Sequence, residues 1–179
     1  MTIHQIQLRH DEPEDRLLLR FSTTDHCEFR FWLTRRFTTR LWKLLVQMLE
    51  WDPVVNQQID PGTRRSVLDL QHEGYTQQAD FTQKFGAQTQ GTPPRLVLGE
   101  MPVLLAKAEA RRSADGVHVL RLHPLHGQGI DITLDAKLLH IFTRLLRDQV
   151  AKTDWDVRLA LTGAGGETAL PEPQTRTLN

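Results

Sequence analysis

Residues 17–52 read LLLRFSTTDHCEFRFWLTRRFTTRLWKLLVQMLEWD. Leu17, Leu19 and Phe21 alternate with Leu18 and Arg20, and Cys27, Phe29, Phe31 and Leu33 alternate with His26, Glu28, Arg30 and Trp32. A period of two puts one set of side chains on each face of a strand, so both runs read as half-buried strands. Ser22-Thr23-Thr24-Asp25 lies between them, and such side chains favour turns by bonding to nearby backbone. The pair is therefore an antiparallel hairpin. The period then changes. Phe37, Leu41, Leu44, Leu45, Met48 and Leu49 recur as one face of a helix. Thr34 supplies an N-cap hydroxyl, and Pro53 disfavours helical geometry in the residue before it.

Residues 118–153 fall on residues 17–52 without a gap, a shift of 101. Only five of the 36 pairs are identical: Leu19/Leu120, Arg20/Arg121, Leu33/Leu134, Leu44/Leu145 and Leu45/Leu146. Identity alone is thus thin, and the pattern carries more. Phe29, Phe31 and Leu33 meet Ile130, Ile132 and Leu134; Thr34 meets Asp135, a second N-cap; Phe37 and Leu41 meet Leu138 and Phe142. The expectation is an α+β fold made from a duplicated antiparallel β-meander plus long helix, βββα twice, with a pseudo-twofold relation and an extra helix between the halves.

The rest of the chain fits around these two units. Residues 2–9 read as a first strand with Ile6 and Leu8 on one face, followed by the acidic turn HDEPED. Residues 52–60 form a connection. Asp60-Pro61 reads as N-cap and first helical position of a helix to about residue 79, with Val67, Leu70 and Tyr75 as its sparse stripe. Residues 80–86 read as extended. The first unit with its connecting helix spans 1–86, a breaker-rich linker spans 87–94, and the second unit spans 95–161 and shares the core of the first. In that unit 106–111 alternates as a strand, Asp115-Gly116 signals a tight turn, and Trp155, Val157, Leu159 and Leu161 alternate in the pattern of a last strand. The Gly/Pro/Thr-rich residues 162–179 read as a disordered tail.

Lys and Arg together number 22, as do Asp and Glu, so net charge is zero with histidines neutral. No global field draws the chain to nucleic acid or to an anionic membrane. Cys27 is the only cysteine, which excludes an internal disulfide and suits a reducing interior. The N-terminal residues lack a signal-peptide pattern, and no run approaches the ~20 apolar residues of a membrane span. A cytoplasmic location follows as the expectation, with no cofactor implied.

Three groups of residues invite chemistry. His118, His123 and His126 lie within nine residues, with Asp131 behind them, and imidazoles suit zinc, copper or nickel. They are the candidate metal ligands, set against solvated or internally satisfied histidines. Asp25-His26-Cys27 suggests a thiolate beside a base, but strand neighbours point to opposite faces, so no catalytic residue is assigned. The third group is the sheet face away from the helices, with Leu18, Arg20, Glu28, Arg30 and Trp32 in the first half and Val119, Arg121, Asp131 and Thr133 in the second. Arg20, Arg30, Trp32 and Arg121 are the candidate nucleic-acid or partner-binding residues: Trp32 offers a stacking surface, and the arginines offer charge to phosphates. The competing reading is a hydrophobic contact of Leu18, Trp32 and Val119 with another sheet or subunit, the arginines snorkelling at its edge.

Two sheet-plus-helix repeats over residues 1–161 resemble, in arrangement, the Whirly proteins and the purine-rich-element-binding repeat proteins. That resemblance implies single-stranded DNA or RNA binding. The leading expectation is nevertheless a small non-enzymatic binding or assembly module that forms a homodimer. Single-stranded nucleic-acid binding is the alternative, and a metal-dependent enzyme at the histidine cluster is the third reading.

Overall fold

The computed structural model describes residues 3–77, 85, 93–113 and 117–161. The α+β class expected from the sequence is the class observed. Strands β1 (Ile3–Asp11), β2 (Arg16–Thr23) and β3 (Cys27–Leu33) lead into helix α1 (Arg35–Glu50). Short α2 (Pro53–Asn56) and longer α3 (Pro61–Gln77) follow. The chain then forms β4 (Arg95–Leu96), β5 (Val103–Arg112), β6 (His118–Pro124), β7 (Ile130–Leu134) and α4 (Ala136–Val150). The seven strands make one sheet in the order β1-β2-β3-β5-β6-β7, with β4 also paired to β3.

Within each run of three strands the pairing is antiparallel. At the joint it is parallel: β3 pairs with β4 and with β5, Phe31 opposite Val103 and Trp32 opposite Leu104. The sequence reading anticipated only antiparallel pairing. A parallel neighbour needs a long crossover, and α1 to α3 supply it.

The hairpin registers follow one rule. Leu17, Leu19 and Phe21 face Leu33, Phe31 and Phe29; His118, Leu120 and Leu122 face Leu134, Ile132 and Ile130. The second set is the first shifted by 101. The β1–β2 ladder slips at Ile3/Gln5, and the β5–β6 ladder slips at Leu105/Lys107, opposite the corresponding residues Thr23/Ser22 and Pro124/His123. The bulged residues are His4 and Ala106. Both hairpin turns also use a left-handed residue, His26 with φ 55° and Gly127 with φ 96°.

The helices begin as the sequence predicts. Thr34 accepts the Phe37 amide, and Asp135 accepts the Leu138 amide at 2.7 Å. Such caps satisfy amides that have no partner within the helix. Phe37, Leu41, Leu45, Met48 and Leu49 of α1 and Leu139, Phe142, Leu146 and Val150 of α4 are buried over the sheet. The sheet contributes Leu17, Leu19, Phe21, Phe31, Leu33, Leu120, Leu122 and Leu134, all at most 1% exposed. Helix α1 lies against β5 and helix α4 against β1, so each helix covers the first strand of the other run, and the two helices touch. This interlock explains why the halves share one hydrophobic cluster.

Three local expectations change. The connection 52–60 contains α2, capped by Asp52, whose Oδ1 accepts the Val54 and Val55 amides. Asp60 caps α3 through the Thr63 amide as expected, but the helix buries Leu68, His72 and Thr76 and leaves Leu70 71% exposed. Its buried stripe is largely polar, which apolar periodicity cannot reveal. Residues 155–161 keep the alternation, with Trp155 and Leu161 buried, yet form no strand. Two of their carbonyls accept from α1 side chains, Trp155 from Arg35 and Ala160 from Trp42. The expectations for the tight turn at Asp115-Gly116, the tail 162–179, and most of 80–86 and of the linker 87–94 lie outside the described residues.

Candidate functional site

The outer face of the sheet is built by the same alternation that fills the core. With Phe29, Phe31 and Leu33 turned to the helices, Glu28, Arg30 and Trp32 must point outward. Neighbouring strands add Leu18 and Arg20 from β2, each directly opposite its partner: Leu18 faces Trp32, and Arg20 faces Arg30. Leu104 of β5 continues the row on the far side of Trp32. Leu18, Trp32 and Leu104 therefore form a half-buried apolar band across three strands.

Beside the band sits an ionic cluster. Glu28 is 3% exposed and receives both arginines, Arg20 Nε at 2.9 Å and Arg30 Nε at 2.7 Å on the same carboxylate oxygen. Arg20 also donates to Gln7 Oε1 at 3.2 Å and lies over the Phe85 ring at 4.3 Å. Arg30 reaches the Glu100 carbonyl at 3.4 Å. A buried carboxylate requires such company, because an isolated charge taken out of water is costly.

A second ionic cluster on β5, β6 and β7 uses different residues. Arg121, the counterpart of Arg20, donates through both Nε and Nη2 to Asp131, the latter at 2.7 Å, and Arg111 adds a bond at 2.8 Å. The paired Arg121 guanidinium holds the Asp131 carboxyl below its ordinary pKa, and Asp131 in turn raises Arg121. In each half two guanidiniums share one carboxylate. The four candidate binding residues thus lie on one face, but all three arginines are engaged.

The candidate metal ligands are not brought together. His118 points to the helix side and stacks on Trp51, ring centroids 5.9 Å apart and planes 4° from parallel. His123 is on the outer face, 3.3 Å from Glu109. Lys107 and then His123 lower the Glu109 carboxyl pKa. His126 is exposed in the hairpin turn. Among the described residues no three of His, Cys, Asp and Glu converge on a point that could hold a metal ion. Cys27 is buried, its sulfur 3.2 Å from Arg95 Nη2.

The sequence reading missed a histidine pair. His72 of α3 and His140 of α4 are 5% and 3% exposed, with their Nδ1 atoms 3.1 Å apart. Tyr75 stacks on His140 at 4.9 Å. One imidazole must donate and the other accept, so the contact needs at least one neutral ring. Burial first, then the Arg147 and Arg144 charges, push His72 down to about 4; burial and His72 do the same to His140. Burial also lowers His118. The signal available in the sequence was the spacing Leu68, His72, Thr76, a helical face with polar members.

Among the described residues no helix is long and apolar enough to cross a membrane. Comparison with family models, curated proteins and solved structures gives no match.

Proposed function

We propose that the chain is a non-enzymatic binding and assembly module, built from two copies of one βββα unit, whose outer sheet face takes a second copy of the chain. The observation that carries this reading is the band Leu18–Trp32–Leu104, half-buried and aligned across three strands. Apolar surface rimmed by polar groups is the mark of a protein contact. Its rim holds both signs of charge, in Glu28 with Arg20 and Arg30, and a second cluster of both signs, Asp131 with Arg121 and Arg111, lies farther along the same face. A surface with both signs is self-complementary under a twofold axis, where each patch meets its own copy. The unit duplication is supported by the common registers, the matched bulges at His4 and Ala106, and the matched turn residues His26 and Gly127.

Sedimentation velocity over a wide range of protein concentration tests the reading. The native chain should show a concentration-dependent dimer, and Leu104→Glu should remain monomeric while keeping its circular dichroism. A monomer at all concentrations would overturn it.

Single-stranded nucleic-acid binding is the second reading. The excess of two guanidiniums over one carboxylate in each cluster favours it, with Arg20, Arg30 and Arg121 toward phosphates and Trp32 toward a base. It requires salt-sensitive binding of labelled single-stranded DNA or RNA, lost in Trp32→Ala.

A further inference from the structure

Helix α1 does not seal against β5. A cleft of about 250 Å³ lies between them, lined by Phe37, Arg40, Lys43, Leu44, Ala106 and Ala108 together with Gln47 and Lys107. The opening has a local cause: the β5 positions beneath the helix are alanines, and Ala106 is the bulged residue. Side chains ending at Cβ leave open the space beside Phe37 and Leu44.

The equivalent place in the other half is occupied differently. There α4 lies on β1, and the matched residues are His4 and Ile6 for Ala106 and Ala108, and Ile141 for Arg40. Lys43 is matched by Arg144 and Gln47 by Asp148, and these two form an ion pair at 3.4 Å. One helix–strand seam thus has two isoleucines, an exposed histidine and an internal ion pair. The other has alanines and cations. Arg40 and Lys43 are exposed, and among the described residues neither makes a hydrogen bond or ion pair. Lys107 pairs with Glu109.

We infer that this cleft is a binding site for a small phosphate ester with an apolar or planar body, of the size class of a mononucleotide. Arg40 and Lys43 take the phosphate, since a guanidinium matches its oxygens in pairs and an ammonium adds charge. Phe37, Leu44 and the two alanines take the body. The volume lies just below the roughly 300 Å³ lower bound of common ligand cavities, a size that suits one ring and one phosphate. This site lies on the helix side of the sheet and does not depend on the outer-face reading.

The test is calorimetric titration of the full chain at low ionic strength with adenosine 5′-monophosphate and, separately, with inorganic phosphate. Saturable 1:1 binding of the nucleotide is expected, with phosphate alone at least about tenfold weaker. The double variant Arg40→Gln, Lys43→Gln removes the phosphate contacts without touching the core. Ala108→Leu fills the cleft and leaves the charges. Each should weaken nucleotide binding by at least about tenfold while the thermal midpoint of the double variant stays unchanged. If Ala108→Leu does not fold, the double variant alone decides. No saturable binding of nucleotide, equal binding of phosphate alone, or binding that the double variant leaves intact would overturn the inference.

Discussion

At Glu28 one buried carboxylate organises two cations, Arg20 and Arg30, that the sequence places on the two strands of a hairpin. Alternation alone put Arg20, Glu28 and Arg30 on one face, and this much was legible. That Glu28 is enclosed and saturates both arginines was not, because it depends on how close the cross-strand neighbours lie. Glu28→Gln removes the charge and leaves two guanidiniums facing each other. Urea unfolding should show a loss of about 1–3 kcal/mol, in the range of charge-assisted hydrogen bonds and unsatisfied buried groups. If single-stranded nucleic acid is the ligand, the same variant should bind it more tightly, since the competing carboxylate is gone.

The buried histidines give a second prediction at this scale. His72 and His140 sit near pKa 4 in the folded chain, below the ordinary value of 6.5. Between those values the unfolded chain binds more protons, so stability falls as pH drops. It should be complete above about pH 6.5 and decline through pH 6.5 to 4, by a few kcal/mol for the pair. His118, also lowered by burial, acts in the same direction; the Arg112, Arg144 and Arg147 charges reinforce the shifts, and the Asp52 and Asp148 charges oppose them. Unfolding free energies measured from pH 4 to 8 check this. Substituting both residues by Gln should flatten the slope, and a slope that survives would assign it elsewhere.

At the scale of the elements, capping and periodicity did most of the specification. Thr34 and Asp135 were readable as caps because each precedes an apolar stripe, and both accept the amide three residues on. Thr34→Ala and Asp135→Ala should each cost about 1 kcal/mol. The hairpin turns differ in fitness for their shared geometry. Gly127 holds φ 96° without a side chain, whereas His26 holds φ 55° with one. Gly127→Val should therefore destabilise by roughly 1–2 kcal/mol, while His26→Gly should be close to neutral. Chemical denaturation of the four variants measures all of these. Helix α3 was legible at its start, from Asp60-Pro61, but not in its face. The buried partners of His72 and Thr76 are a histidine on α4 and the helix's own carbonyls, which no single-segment pattern encodes. Residues 155–161 show the converse: an alternating pattern in which the Trp155 and Ala160 carbonyls bond α1 side chains and no strand forms.

For the whole molecule, the succession of strands and long helices was readable from the periods of two and of about 3.6, while the packing of each long helix on the other run of strands was not. Each long helix covers the first strand of the other run, and β3 meets β5 in parallel, because the crossover through α1, α2 and α3 returns the chain to the same edge. That arrangement turns the band of Leu18, Trp32 and Leu104 outward at the junction of the two halves. We propose this band as the docking site of a second copy. Hydroxyl-radical footprinting at dilute and at high protein concentration tests that claim most directly. Trp32 and Leu104 should lose reactivity as concentration rises, while half-buried Trp51 on the helix side keeps its own. Equal reactivity of Trp32 at both concentrations would contradict the account.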